Sequence, residues 1–245
     1  MSLRKEQVKK SRRKHRRFLY SPYYDLVKFL GGGIAALCMR PKVHRITENV
    51  PKRMKGGVVI AANHTSFSDA VILFVVFWYR RLAFLATKDL FNNKFNKIFF
   101  RNLNCIEVDK EKFSTKTLRA ICDRLNGNHP VVIFPEGKIN GEGETLLDFK
   151  EGTVYVAMKC NKPILPVYIA VRDSLKKRHN VVIGEPVYVN ELYTDAPRAD
   201  RIKLISEYLR DYELRLKNYY DEEVEKSSGS KKQNIAPDIQ YSGRT

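Results

Sequence analysis

The sequence predicts an α/β fold with a mostly parallel central sheet flanked by helices. Short apolar runs that are typical of buried strands alternate with segments of helical periodicity from residue 57 to residue 220. This alternation is typical of parallel strands joined by helical crossovers. Two of the predicted strands also end in polar stretches that contain histidine or glycine, and ligands in such folds bind where the strands end.

The predicted elements follow one another along the chain in a regular order. The strands are short apolar runs, at 57–62, 82–87, 104–108, 129–135, 163–170 and 179–184. The helices have longer periodic patterns, at 66–79, 89–101, 114–125, 149–160 and 199–220. The segment 89–101 is amphipathic, with Phe91, Phe95, Ile98 and Phe99 on one face and basic residues beside them.

The length and composition predict one main domain with appended ends. A chain of 245 residues, 43% of them apolar, can bury one sizeable core, which we place at residues 49–225. The 45 lysines and arginines exceed the 27 acidic residues by 18, so we expect an anionic partner. Nucleic acid, an acidic membrane surface, an acidic carrier protein and a phosphorylated small molecule all fit this charge.

The two ends of the chain differ from the main domain. Residues 1–17 form a basic tail, with nine lysines and arginines against one glutamate. Such a tail either binds an anionic bilayer or remains a solvated arm, and the residues alone leave both open. Residues 226–245 lack hydrophobic periodicity and predict a disordered tail.

Residues 18–48 predict a helical segment that associates with a membrane. Its apolar part, Phe18–Met39, has 22 residues, which is long enough to span a bilayer. Asp25, Lys28 and the glycines at 31–33 interrupt this stretch. They favour a helix that lies in the membrane interface over one that crosses it.

The cysteines and histidines predict neither disulfides nor a metal site. Cys38, Cys105, Cys122 and Cys160 show no C-x-x-C spacing, so we expect four reduced cysteines that serve as small core residues in a cytoplasmic setting. The five histidines show no spacing typical of metal ligands. We therefore expect no metal and no cofactor.

The stretch "AANHTSFSDA" places His64 and Asp69 directly after the first predicted strand. Inside one helix, a separation of five residues would place the two side chains on different faces. If the helix begins near Ser66, His64 lies in the preceding turn and Asp69 can reach its imidazole. A histidine oriented by a carboxylate is a general base, whereas a capping box from Ser66 to Asp69 would need no chemistry. This stretch alone leaves both interpretations open.

The stretch "VVIFPEGKINGEGE" places Glu136, Gly137 and Lys138 directly after a later strand. Exposed backbone amides beside a cation would suit a phosphate group. An ordinary turn that needs glycine for its backbone angles is the alternative. The sequence contains no P-loop.

Taken together, these stretches resemble the glycerolipid acyltransferase family, most closely its bacterial 1-acylglycerol-3-phosphate acyltransferases. "NHTSFSD" is similar to the family's N-H-x-x-x-x-D motif, and "FPEG" to the first half of F-P-E-G-T-R-S. "LNCIEVDK" between them, and "FKEGTVYVA" with "KPILPVYI" after them, resemble two further blocks of the family. The resemblance covers residues 49–169 with the motifs in the family's order, and it implies that residues 49–225 are an acyltransferase domain.

The resemblance implies transfer of a fatty acyl group from acyl carrier protein or acyl coenzyme A to the hydroxyl of lysophosphatidic acid, giving phosphatidic acid in phospholipid biosynthesis. It implies that His64 is the general base and that Asp69 orients it. The remaining site residues would bind the acceptor: Glu136 and Gly137 by shaping its pocket, and Lys110, Lys138 and Lys88 by attracting its phosphate. A solvated lysine at a helix start is the alternative for Lys88.

The sequence departs from the family motifs at two places that bear on the acceptor. The residues after Gly137 are Lys138, Ile139 and Asn140 instead of Thr-Arg-Ser, and the block that ends in arginine ends here in Lys110. Lysine binds phosphate as a point charge without the planar fork of arginine. Acylation of another lysolipid by the same chemistry is therefore the alternative function.

A lipid substrate implies contact with a membrane, which we place at the cytoplasmic face of the cell membrane with the protein peripheral or monotopic. Residues 18–39 and the helix at 91–101 combine apolar and basic side chains as interfacial helices do. Packing of Phe91, Phe95 and Phe99 into the core is the alternative for the second helix. A basic nucleic-acid-binding or membrane-binding protein without catalysis is a rival class, but the sequence contains no nucleic-acid-binding motif and we expect no nucleic-acid partner.

Overall fold

A seven-stranded sheet forms the centre of the protein. The computed structural model describes residues 22–109, 113–141, 146–171 and 178–225. The strands are β1 (Lys42–Arg45), β2 (Val59–Ala62), β3 (Ala83–Thr87), β4 (Ile106–Val108), β5 (Val131–Ile133), β6 (Ile164–Ile169) and β7 (Asn180–Ile183). Their order across the sheet is β1-β7-β6-β2-β5-β3-β4.

The sheet is mostly parallel, as the sequence predicts. Strands β2 to β6 run in one direction, and β7 pairs antiparallel to β6. β1 pairs parallel to β7, so these two strands form a reversed edge. All four residues of β2 are buried, because it lies at the centre of the sheet with a helical layer on each face.

Helices cover both faces of the sheet. They are α1 (Pro22–Met39), α2 (Ser68–Val76), α3 (Lys94–Asn102), α4 (Thr115–Asn126), α5 (Gly152–Cys160) and α6 (Arg198–Tyr219). Alternate residues of β2 separate the two cores. Ile60 packs with Ile72 and Leu73 of α2, whereas Val59 packs with residues of α4, α5 and α6.

The sheet begins earlier in the chain than the sequence indicates. β1 lies inside the range 18–48, which the sequence assigns to the membrane-associating segment. Its four residues, "KVHR", carry two basic side chains and no apolar run, so a sequence pattern cannot distinguish this edge strand from a loop. Only its pairing with β7, more than 130 residues later, makes it a strand. The predicted tails at 1–17 and 226–245 lie outside the described residues.

The expectation that all four cysteines are reduced is wrong for one pair. Cys122 on α4 and Cys160 on α5 form a disulfide, with their Cα atoms 5.2 Å apart. The two residues are 38 positions apart in the sequence, and they meet because α4 and α5 pack against each other. Spacing along the chain therefore could not reveal the bond. The free Cys38 is exposed, so it is not a core residue either.

Candidate active site

The two predicted motifs meet at one edge of the sheet. His64 follows β2 by two residues, and Phe134 directly follows β5. β2 and β5 are parallel neighbours, with Ala61 opposite Ile133. The rings of His64 and Phe134 stack with their centroids 3.9 Å apart and their planes within 13°. His64 and Phe134 are therefore in contact because they follow the carboxyl ends of two neighbouring parallel strands.

His64 and Asp69 form a hydrogen-bonded pair. The Nδ1 atom of His64 lies 3.0 Å from Oδ2 of Asp69. An ionised carboxylate has no proton to donate, so Nδ1–H is the donor, and in the neutral form of the imidazole this leaves the lone pair on Nε2. The Asp69 side chain is 3% exposed and the His64 side chain 16%. The carboxylate is thus held inside the protein, and the imidazole has partial access to solvent.

Asp69 also holds the loop that carries the histidine. Its Oδ2 atom accepts hydrogen bonds from the backbone N–H groups of Thr65, at 2.7 Å, and Ser66, at 2.8 Å. The predicted capping box is half formed, because the Ser66 hydroxyl accepts from the N–H of Ser68 and not from that of Asp69. α2 begins at Ser68, so Asp69 is its second residue and reaches back over the loop. One carboxylate both caps the loop and orients the imidazole.

Glu136 contacts the backbone on both sides of the site. Its Oε1 accepts from the N–H of His64 at 3.0 Å, and its Oε2 accepts from the N–H of Leu147 at 3.3 Å. Burial raises the pKa of this carboxyl, and these bonds, the His64 ring and a hydrogen bond from the Asn140 side chain oppose the rise. Glu136 is almost completely buried. It therefore fixes the position of the histidine loop from behind.

The loop after Glu136 folds back over the histidine. Gly137 has a φ of +70°, which favours glycine. A Cβ atom at this position would lie 2.8 Å from Cε and 2.9 Å from Nζ of Lys150, so a side chain here would have to displace the end of this lysine. The N–H of Asn140 donates to the backbone oxygen of His64 at 2.6 Å. Sequence reasoning named Asn140 only as a departure from the motif and quoted Lys150 only within "FKEGTVYVA", and it assigned neither residue a role.

The structure places two of the three lysines predicted to bind phosphate. Lys138 is exposed and directly follows Gly137. Lys88 is exposed and begins the 3₁₀ turn Lys88–Phe91 after β3, which is the neighbour of β5. Both lysines therefore lie at the edge of the sheet where His64 lies. Lys110 lies outside the described residues, two positions after the end of β4 at Val108.

Two buried polar residues behind the histidine were also missed. Asn63 bonds the backbone of Ile169 twice, through Nδ2 to its oxygen at 2.9 Å and through Oδ1 from its N–H at 2.7 Å. This pair of bonds joins the ends of β2 and β6. Glu213 on α6 is completely buried beside Asn63 and Glu136. Ile205, Leu209, Tyr212 and Leu216 recur at helical spacing along α6 and are buried. Glu213 lies beside them on the same face, so this spacing is the signal that could have marked it as an interior residue.

We predict that Glu213→Gln stabilises the protein more at higher pH. Burial, and then the charge of Glu136, raise the pKa of Glu213 well above its ordinary value of 4.5, against the effect of the Asn63 N–H. Above pH 4.5 the unfolded chain loses this proton while the folded chain keeps it, so wild-type stability falls as pH rises toward the folded pKa. Glutamine has no proton to lose at this position.

The measurement is the free energy of unfolding by urea for wild type and Glu213→Gln at pH 5, 6.5 and 8. We expect the difference between them to grow in favour of the variant by at most about 1.4 kcal/mol per pH unit. Glu207→Gln, at an exposed position of the same helix, is the control and should show no such trend. If the difference in free energy of unfolding between Glu213→Gln and wild type were constant across pH, the Glu213 carboxyl would not be held in its protonated form in the folded protein.

The arrangement as a whole is suited to removing a proton from a substrate. A neutral imidazole whose Nδ1–H is bonded to a carboxylate is a general base through Nε2. Within the described residues, no group of three histidine, cysteine, aspartate or glutamate side chains could hold a metal ion. The fold and this pair define an α/β protein with a histidine–aspartate centre at the carboxyl ends of its strands.

Comparison with known proteins gives the class of enzyme. The model of the Acyltransferase family matches residues 41–170, more than half of the chain, so the protein belongs to this family. The resemblance that the motifs indicate is thereby confirmed, and the protein is an acyltransferase.

Individual relatives agree with this assignment. A 1-acyl-sn-glycerol-3-phosphate acyltransferase of Bacillus subtilis (strain 168) is 27% identical over 180 residues, which are 71% of this chain and 87% of that protein. One from Helicobacter pylori (strain J99) is 31% identical over 116 residues, 46% of this chain and 48% of that protein. The crystal structure of the 1-acyl-sn-glycerophosphate acyltransferase of Thermotoga maritima has a similar fold. Its TM-score is 0.52 at 20% identity, over 84% of this chain and 98% of that one.

Proposed function

We propose that the protein transfers a fatty acyl group from an acyl thioester to the free hydroxyl of 1-acylglycerol 3-phosphate, giving phosphatidic acid in phospholipid biosynthesis. The observation that carries this proposal is the 3.0 Å contact between His64 Nδ1 and the Asp69 carboxylate, in a member of the acyltransferase family. The names of the relatives from Bacillus and Helicobacter support this acceptor. Acyl carrier protein and acyl coenzyme A are the two candidate donors.

In the proposed mechanism the acceptor itself is the nucleophile. Nε2 of His64 takes the proton of the lipid hydroxyl as its oxygen attacks the thioester carbonyl carbon. The Asp69 carboxylate stabilises the imidazolium that forms. The tetrahedral intermediate then collapses with cleavage of the C–S bond, and the leaving thiolate takes the proton from Nε2. No acyl group is bonded to the protein at any stage.

The acceptor phosphate would bind beside this centre. Lys138 follows Gly137 directly, and Lys88 lies at the same edge of the sheet. Each exposed ammonium group can attract a phosphate as a point charge. We assign Lys110 to the same group of lysines from its place in the motif alone. Glu136 and Gly137 would set the position of the loop on which the phosphate rests.

An exposed apolar surface on α1 and α3 supports contact with a membrane. On α1, Phe29 is 84% exposed and Leu37 78%, and on α3, Phe95 is 76% exposed and Ile98 63%. The alternative interpretation of the segment 91–101 required Phe91, Phe95 and Phe99 to pack into the core. Of these, only Phe91 is buried, and it lies in the turn before α3. No residue of α3 itself is buried. Monomeric proteins rarely expose so many large apolar side chains together, so we take this surface to face the lipid.

Several contacts hold α1 against the folded domain and beside α3. Tyr24 is buried, and its hydroxyl oxygen accepts the N–H of Leu82 at 3.1 Å. Asp25 forms an ion pair with Arg81, and the ring of Tyr23 lies edge-on to Phe99 of α3. Within the described ranges, no helix is both long enough and apolar enough to cross a bilayer. We propose a peripheral or monotopic protein at the cytoplasmic face of the cell membrane.

We predict that the double variant Phe95→Ser, Ile98→Ser binds vesicles more weakly without unfolding. Each side chain is mostly exposed, so its replacement leaves no cavity. Burial of one such side chain in lipid is worth about 1.5–3 kcal/mol, so we expect the partition coefficient to fall by at least tenfold. The measurement is co-sedimentation with vesicles of phosphatidylglycerol and phosphatidylcholine.

The control for this variant lies on the other face of the sheet. The double variant Leu204→Ser, Leu214→Ser also replaces two exposed leucines, but on α6. This α6 variant should bind vesicles as the wild type does. Equal binding by the α3 variant and the α6 variant would mean that the α1–α3 surface does not face the lipid.

A panel of acceptors tests the proposed function. The purified protein is offered lysophosphatidic acid, other lysophospholipids and monoacylglycerol, each with a labelled acyl coenzyme A and a labelled acyl carrier protein. We expect the label to enter phosphatidic acid fastest. Faster labelling of another lysolipid would favour the alternative acceptor that the departure at Lys138-Ile139-Asn140 suggests. No labelled lipid from any acceptor, with DNA displacing the protein from vesicles, would favour the rival class.

A further inference from the structure

The position that carries arginine in the family motif cannot bind a phosphate in this protein. Ile139 occupies it, and its apolar side chain is partly exposed. The next residue, Asn140, is engaged on two sides: its N–H bonds the His64 oxygen, and its side chain bonds the Glu136 carboxylate. The loop itself therefore supplies only Lys138 as a cation.

A second cation reaches the same turn from another part of the chain. The Nζ atom of Lys150 lies 2.9 Å from the point where a Cβ on Gly137 would be. The N–H of Lys150 donates to the oxygen of Pro135 at 2.9 Å, which fixes the base of the side chain beside the turn. Glycine at position 137 thus leaves the space that the lysine occupies.

The charge of Lys150 is available to a ligand. Asp148, two residues earlier, is paired with Arg210 at 3.5 Å. The Glu136 carboxylate accepts hydrogen bonds from the N–H groups of His64 and Leu147 and from Asn140. Among the residues that the structure describes, no carboxylate forms an ion pair with Lys150.

We infer that Lys150 binds the acceptor's phosphate, in place of the absent arginine, and thereby selects a phosphorylated acceptor. This inference rests on the proposed function. In 1-acylglycerol 3-phosphate the phosphate and the reacting hydroxyl are on adjacent carbons, so the two groups must bind close together. Lys150 lies against Gly137, next to the residue that binds the His64 backbone. Lys138 and Lys150 flank the phosphate as two point charges.

The test compares wild type, Lys150→Met, Lys150→Arg and Lys159→Met in neutral detergent micelles. Lys159→Met removes the same charge from an exposed position at the far end of α5. Equilibrium binding of labelled lysophosphatidic acid and of monoacylglycerol with the same chain is measured first. Steady-state acyl transfer to both acceptors is measured second.

We expect Lys150→Met to weaken binding of lysophosphatidic acid and to raise its KM by about tenfold, which is the effect of losing roughly 1.4 kcal/mol of a charge-assisted contact. Binding and KM for monoacylglycerol should not change, kcat should change little, and Lys150→Arg should restore binding. Lys159→Met should behave as wild type.

Equal losses for the two acceptors, no loss, or a loss of the same size in Lys159→Met would overturn the inference. The binding measurement separates it from the proposed function. Lysine-dependent binding of lysophosphatidic acid without its acylation would retain the phosphate site and refute the proposed acceptor. No binding of lysophosphatidic acid by the wild type would refute both.

Discussion

Replacement of His64 by alanine should reduce the rate of acyl transfer by about 10⁴-fold. Among the residues that the structure describes, this imidazole is the only candidate base that lies beside a buried carboxylate at the carboxyl ends of the strands. General-base catalysis typically contributes about 10²–10⁴-fold in rate, so we expect a loss of kcat at the upper end of this range. The measurement is the rate at which a labelled acyl group enters phosphatidic acid.

The fold of this variant should survive. Glu136 bonds the backbone N–H of His64 and Asn140 bonds its backbone oxygen, and alanine keeps both groups. The ring stacks on Phe134 but is partly exposed, so its removal leaves only a shallow space. Circular dichroism and vesicle binding like those of the wild type would confirm this. Transfer by the folded variant at a rate near that of wild type would refute the proposed role of His64.

Replacement of Asp69 by asparagine should lower kcat by about 10²-fold or more. Asparagine has the same shape, but its NH₂ group is a donor and it carries no charge. It can turn its NH₂ toward Nδ1 and thereby favour the tautomer that has its proton on Nε2, which cannot act as a base. The variant also lacks the negative charge that stabilises the imidazolium.

This variant should lose some stability as well, because Oδ2 of Asp69 accepts the N–H groups of Thr65 and Ser66. An unsatisfied buried group costs about 1–3 kcal/mol, so melting curves must accompany the kinetics. Asp148→Asn removes a fully exposed carboxylate and is the control. If folded Asp69→Asn had the kcat of the wild type, Asp69 would be a loop cap without a role in orienting the base.

The central part of the fold could be predicted from sequence because its signals are local. β2, β5 and β6 are continuous apolar runs, and each is followed by turn residues. The spacing of His64 and Asp69 is also a local signal, since two residues at this separation can form a pair only at a strand–turn–helix junction. The order of four motifs then identified the family, which the match to residues 41–170 confirms.

The remaining features depend on contacts between distant residues. β1 exists through pairing with β7, and the disulfide exists because α4 packs on α5. The exposure of Phe95 depends on which face of α3 meets the core, and periodicity alone cannot decide between the core and the lipid. Lys150 lies 13 residues after Gly137, and only the return of the loop brings the two together.

A single-turnover reaction with enzyme in excess over a labelled acyl thioester is the most direct test, since it follows one acyl group from donor to product. If His64 takes a proton from the lipid alcohol, label should pass from the donor straight into phosphatidic acid when lysophosphatidic acid is present, and should remain on the donor when it is absent. Label that accumulates on the protein first, and moves to lipid only afterwards, would contradict direct attack by the acceptor.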